Sequence, residues 1–189
     1  MTEPILEDLL QPGLRVVFCG TAPGRVSAER RAYYAHPQNR FWRTLFEVGL
    51  TPRVLLPDEY PKLLHYGIGL TDIAKHAFGM DKQLPSGALG AMAVVSLTER
   101  IRVVEPGVLA FTSLTGASKF LQRKVAAGEQ PERLGNTRIW ALPSPSPTAN
   151  WAWQIDPWRS LSESVKYSGP SEAVSFGEKQ LREAGSAET

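Results

Sequence analysis

Four short apolar runs, separated by stretches with helical spacing, constrain this chain more than any other feature. They are residues 14–20 (LRVVFCG), 67–73 (GIGLTDI), 108–113 (VLAFTS) and 138–143 (RIWALP). Each is nearly continuous rather than alternating, as strands covered on both faces are. Between them, residues 39–48 put Phe41, Leu45 and Val48 on one face of a helix. Residues 97–104 follow a Ser96/Glu99 capping-box pattern, and residues 115–125 carry Ala117, Phe120, Leu121 and Val125. Asp156–Lys166 has Pro157 in its first turn. Buried strands alternating with helices predict an α/β three-layer sandwich: a central four-stranded, mostly parallel sheet flanked by helices. In such folds ligands bind at the carboxyl ends of the strands, so the loops after the first, second and fourth runs are where chemistry is expected.

Composition narrows the classes. At 189 residues, 42% hydrophobic and 21% charged, the chain suits one domain with a core of its own. Residues 1–167 are expected to form that domain. Residues 168–189, rich in Gly, Ser and Glu, read as a mobile tail with room for a short helix near 174–183. A single cysteine, Cys19, excludes an internal disulfide, a four-cysteine iron–sulfur cluster and a cysteine-rich zinc site. No apolar run is long enough to span a membrane, and MTEPILEDLL has acids where a secretory signal needs lysines. The expectation is a cytoplasmic monomer with no membrane partner. Net charge is +2, but Glu172, Glu178, Glu183 and Glu188 against Lys179 and Arg182 leave the tail at −2 and the rest at +4. That balance is compatible with a polyanionic partner and does not by itself require one.

Three loops carry candidate chemistry. The first, 20–28 (GTAPGRVSA), has two glycines about a proline just past a strand, a stiff turn whose backbone N–H groups suit a carbonyl-rich or anionic ligand. It reads equally as an ordinary strand exit. The second, 32–42 (AYYAHPQNRFW), sets Tyr33 and Tyr34 before a His36-Pro37 turn. Aromatic faces stack nucleobases, and they also fill cores; Phe41 and Trp42 are assigned to the core. The third, 142–151 (LPSPSPTANW), alternates prolines with serines to hold an extended, rigid segment presenting hydroxyls. With a strand on one side and Trp151 and Trp153 on the other, it belongs to the domain rather than to a linker. A rigid protrusion is what a protein needs to enter a duplex and replace an extruded base.

Taken together and in this order, VVFCGTAPG, YAHPQNRFWRTLFEVGLTPR and LPSPSPTAN resemble the mismatch-specific uracil-DNA glycosylases, the branch that includes thymine-DNA glycosylase. The resemblance spans roughly residues 5–165 and is strongest over 14–53. It implies that family's fold and the removal of a damaged base from DNA without a metal or cofactor. It also implies that Tyr34 stacks on the flipped base, and that the backbone of Thr21, Gly24 and Ser27, with Ala22 between them, lines the base pocket. Ser144 and Ser146 are implied to lie near the scissile nucleotide and its phosphate, with Pro147, Thr148, Ala149 and Asn150 as the wedge. Two positions depart from the family's pattern. Ala22 stands where an asparagine usually positions the attacking water, and the wedge lacks the usual leucine.

Cleaving an N-glycosidic bond needs donors aimed at the departing base, worth roughly 3–4 kcal/mol each, and a group that directs water, worth about 10²–10⁴-fold. The turn at 20–28 can supply the donors. A methyl group at Ala22 cannot direct water. Asp72, at the end of the second strand, is the first choice for that task; it reads alternatively as a turn cap or a partner of Lys75. Asn39 is second: it is a polar amide in the same region and resembles the asparagine that related glycosylases acting on deaminated purines use; it reads alternatively as a helix N-cap. Asp81 ranks third. Lys75, Arg25 and Arg40 are expected to contact DNA, with Ser113 as a phosphate ligand. The expected activity is hydrolytic excision of uracil, and of hypoxanthine or xanthine, from DNA. Two other classes remain open: a DNA- or nucleotide-binding module that lost its water-directing group, and a hydrolase of free nucleotides.

Overall fold

The computed structural model describes residues 3–166. Its centre is a sheet of five strands in the order β2-β1-β3-β5-β4. These are β1 (Val16–Gly20), β2 (Ile68–Asp72), β3 (Val108–Phe111), β4 (Gly128–Leu134) and β5 (Thr137–Ala141). β2, β1, β3 and β5 run parallel, as their four continuous apolar runs dictate. The sheet thus gains one strand over the expected four. β4 (GEQPERL) pairs antiparallel with β5 at the edge, half-exposed and with a register shift between Glu129 and Arg133. An edge strand tolerates Pro131 and a polar sequence, which is why no apolar run announces it.

Helices cover both faces. They are α1 (Arg25–Arg30), α2 (Phe41–Glu47), α3 (Ala91–Val104), α4 (Leu114–Leu121) and α5 (Asp156–Lys166). Alternate residues of β1 feed two cores. Val16 and Phe18 join Phe41, Trp42, Leu45, Trp158 and Leu161 on one side, and Val17 and Cys19 join Leu97, Ile101, Phe111 and Ala117 on the other. Phe18 lies 5.6 Å from Trp158 and 5.4 Å from Phe41 between ring centres.

Two helices differ from expectation. α3 starts at Ala91 rather than 97, so Ser96 and Glu99 lie within it and cap nothing. Gly90, with no side chain to signal a cap, precedes its first turn. α4 ends at Leu121 because Gln122 turns left-handed at φ 54°. No helix among the described residues is long and apolar enough to cross a membrane. The segment assigned to a tail, with its short helix at 174–183, lies outside the described residues.

The N-terminal stretch, which sequence alone left unassigned, lies along the β2 edge. Leu9 and Leu70 exchange backbone hydrogen bonds of 2.9 and 3.0 Å, and Ile5 N–H donates to Lys75 O at 2.8 Å.

Candidate functional site

Parallel pairing brings three strand ends level. Gly20 is the register partner of Asp72, and Thr112 N–H donates to Cys19 O at 2.9 Å. At this rim the Asp72 carboxyl lies against Gly20, whose Cα carries no side chain to exclude it. Tyr34 Oη reaches the same place, 3.0 Å from Thr112 Oγ1. Asp72 is only 3% exposed, and its Oδ2 is sealed from solvent without a hydrogen-bond partner. Burial pushes its pKa up to about 7, against the pull of Lys75 and Arg100. A buried acid left half-ionised near neutrality is a functional candidate on physical grounds, since a purely structural one would be expected to be paired.

The two tyrosines divide their roles. Tyr33 is 2% exposed, and its hydroxyl donates to Glu7 O at 2.9 Å, so it is core. Tyr34 adopts φ 52°, a left-handed conformation that a bulky side chain rarely takes. The turn that holds it is built locally: Ala35 N–H donates to Ser27 Oγ at 3.0 Å, and Trp42 Nε1 donates to Tyr33 O at 3.2 Å. The Tyr34 ring stacks on Phe41 with 3.9 Å between centres and remains partly exposed. Burial and the nearby Asp72 raise its hydroxyl's pKa well above the ordinary value, so it stays a neutral donor.

The turn after β1 is fixed by its carbonyls. Gly20, Thr21 and Pro23 accept from the N–H groups of Ile73, Ala74 and Gly79 at 2.9, 2.8 and 2.9 Å. The Ala22 N–H makes no hydrogen bond to the described residues. Thr21 Oγ1 donates to Asp81 Oδ1 at 2.5 Å, which brings the third-ranked acid to this turn. Ser27 is buried, and its hydroxyl is spent on the Tyr34 turn. Gly24 leads into α1 with no side chain involved.

Asn39 Oδ1 accepts from Phe41 N–H at 2.9 Å, so its carbonyl side secures the start of α2. Its half-exposed amide nitrogen has no partner among the described residues. His36 shapes the same loop, with Nδ1 accepting from Gln38 N–H at 3.1 Å.

Arg40 ties this loop to the Pro-Ser segment. Its N–H donates to Pro145 O at 3.0 Å, its guanidinium donates to Asn150 Oδ1, and it lies 5.4 Å from the centre of the Trp153 ring. Ser144 Oγ accepts from Ser146 N–H at 3.3 Å, and Ser146 Oγ accepts from Thr148 N–H at 3.4 Å. Pro147, Thr148, Ala149 and Asn150 form a 3-10 turn ending at Ala152, and on it Trp151 stands 90% exposed. Sequence reasoning treated Trp151 only as a flank. Ser113 Oγ caps α4 by accepting from Gly116 N–H at 2.8 Å.

Lys75 is corrected outright. Its ammonium donates to Leu6 O and to Asp8 Oδ1, both at 2.6 Å, and is 11% exposed, so it is engaged within the protein rather than free at the surface and does not pair with Asp72. Arg25 is exposed. Sequence reasoning missed Thr112, Asp8 and Arg100. Only the hydroxyl next to strand-end Ser113 was within reach of a sequence argument. A cavity of about 440 Å³ adjoins the site between residues 73–77 and α3, walled by Ile73, Lys75, Ser86, Met92 and Ser96 among others, but not by Tyr34 or Asp72.

A family model described as Uracil DNA glycosylase superfamily matches residues 7–162. Among solved structures, the solution NMR structure of a candidate uracil DNA glycosylase from Methanosarcina acetivorans superposes with a TM-score of 0.52. Identity is 14%, over 85% of this chain and 96% of that one, a likeness of fold alone.

Proposed function

The chain belongs to the uracil-DNA glycosylase superfamily, and from that premise we propose that it flips uracil, and related deaminated bases, out of DNA and excises them by hydrolysis as a monofunctional enzyme of the mismatch-specific branch. The single observation that carries this reading is the unpartnered, enclosed carboxyl of Asp72 beside Gly20 and Tyr34.

In the proposed reaction the flipped base lies on Tyr34, with the free Ala22 N–H as a donor to a base carbonyl. Thr21, Gly24 and Ser27 give the turn its shape. Water attacks C1′ of the sugar as the bond from C1′ to the base nitrogen breaks. The water's proton passes to the Asp72 carboxylate, and the bond's electron pair leaves with the base as its anion, which then takes up a proton. The products are an abasic site and a free base. The enclosure of Asp72 means that its pocket must open as the nucleotide enters. Asn39, whose amide nitrogen is already available, helps to hold the water. Ser113, Ser144, Ser146, Arg25 and Arg40 engage phosphates, while Pro147, Thr148, Ala149 and Asn150 enter the duplex behind the extruded base.

The test is an excision panel: uracil, thymine, hypoxanthine and xanthine in single-stranded, paired and mispaired DNA, followed by alkali. Strand breaks at uracil are expected, with Asp72→Ala lowering the rate by at least about 10²-fold and Asn39→Ala by less. Gel shifts without breaks would identify a binding module that lost its water-directing group. Cleavage of dUMP without action on DNA would identify a nucleotide hydrolase. Full activity in Asp72→Ala would remove that residue from the reaction.

A further inference from the structure

Behind β2, on the side away from Gly20, lies a compact charge cluster. Asp8 Oδ1 accepts from Lys75 Nζ at 2.6 Å and from Thr71 Oγ1 at 2.7 Å, and its Oδ2 accepts from Arg100 Nη1 at 2.8 Å. Arg100 also donates to Thr71 Oγ1 at 2.6 Å and, through Nη2, to the backbone oxygen of Asp72 at 3.1 Å. The three charged side chains are 11–20% exposed, so water screens them poorly. They come from three elements: the N-terminal segment, the loop after β2, and α3. The N-terminal segment is fastened on both sides of Asp72, at Leu70 and at Lys75.

This placement leaves Asp72 in an unusual position. Two cations lie near it, yet neither is hydrogen-bonded to its carboxyl. Lys75 is spent on Asp8 and Leu6 O, and Arg100 on Asp8, Thr71, Ser96 O and a backbone oxygen. The other titratable groups coupled to the carboxyl are Tyr33, Tyr34 and Cys19, all held neutral by burial. Asp8 is therefore the one charge that offsets the two cations.

We propose that the N-terminal segment is a positioning element for the reaction: Asp8 holds Lys75 and Arg100 in ion pairs behind β2, withholding both cations from the Asp72 carboxyl and so setting the pH at which that carboxyl becomes a base. The proposal rests on Asp72 acting as the base. Asp8 touches no reacting atom, and its effect is transmitted through charge. Removing it frees two cations to favour the Asp72 carboxylate, whereas removing Lys75 leaves Asp8 to oppose it. The two substitutions therefore act in opposite directions, which a loss of packing alone would not produce.

The experiment uses the full chain with Asp8→Asn and, separately, Lys75→Gln, and two readouts. The first is the acid limb of the excision rate against pH. The second is the difference in thermal stability between each protein and its Asp72→Asn counterpart as pH is varied, which follows Asp72's ionisation whether or not the protein excises anything. In Asp8→Asn both midpoints are expected to fall by about one pH unit or more, and in Lys75→Gln to rise. If Asp8→Asn fails to fold, the direction in Lys75→Gln decides. Midpoints that stay put, or that move the same way in both variants, would overturn the proposal. A stability midpoint that moves as expected in a protein with no excision activity would uphold the charge coupling and remove instead the assignment of Asp72 as base.

Discussion

Asp72 Oδ1 occupies the volume that a side chain on its register partner Gly20 would fill. The carboxyl is thus admitted to the rim by the lack of a Cβ on the neighbouring strand. Gly20→Ala puts a methyl group into that oxygen. The expected result is a loss of about 1–3 kcal/mol in stability and a loss of excision at least as large as that of Asp72→Ala. Chemical denaturation and the excision assay check it. A stable, fully active Gly20→Ala protein would mean that Asp72 has room to move away without consequence.

The raised pKa of Asp72 has a signed effect on stability. The unfolded carboxyl ionises near 3.8 and the folded one near 7, so the folded state is penalised as pH rises from the first value through the second. Below pH 3.8 the penalty is absent; above 7 it reaches its full size, up to about 4 kcal/mol. Asp72→Asn removes the ionisation. Its melting temperature is expected to exceed that of the unaltered protein by roughly 5–10 °C at pH 8, and to match it near pH 4. Calorimetry across that range measures the difference, and a constant offset would refute an elevated pKa.

Tyr33 and Tyr34 are adjacent in sequence and opposite in consequence. Tyr33→Ala empties a core site and breaks the bond to Glu7 O, with an expected cost of about 3–5 kcal/mol and little loss of rate in the fraction that stays folded. Tyr34→Ala is expected to cost less stability, because its ring is partly exposed rather than sealed in the core, and to reduce excision far more. Paired measurements of melting and turnover separate the two, and equal losses of activity would contradict stacking by Tyr34.

How much of this was legible in the sequence differs by element. The four buried strands were, since a strand covered on both faces must be apolar throughout. β4 was not: at an edge, half its surface meets water and its residues are free to be polar. The start of α3 was hidden because Gly90 signals no side-chain cap, while Ser96 and Glu99 imitate one. Asp72 is legible from its place at the end of a strand and Tyr34 only through the resemblance, and both lie at the same rim.

The amino-acid order by itself determined the layers and the parallel sheet, because the pattern of buried residues along a strand or helix is a local property. Only the tertiary structure decided the charge state around Asp72. Lys75 reads as a solvent-facing cation until Asp8, 67 residues earlier, is packed against it, with Arg100, 25 residues later, taking that acid's other oxygen. Electrostatic energies depend on distance and burial, and neither is fixed until the chain has folded.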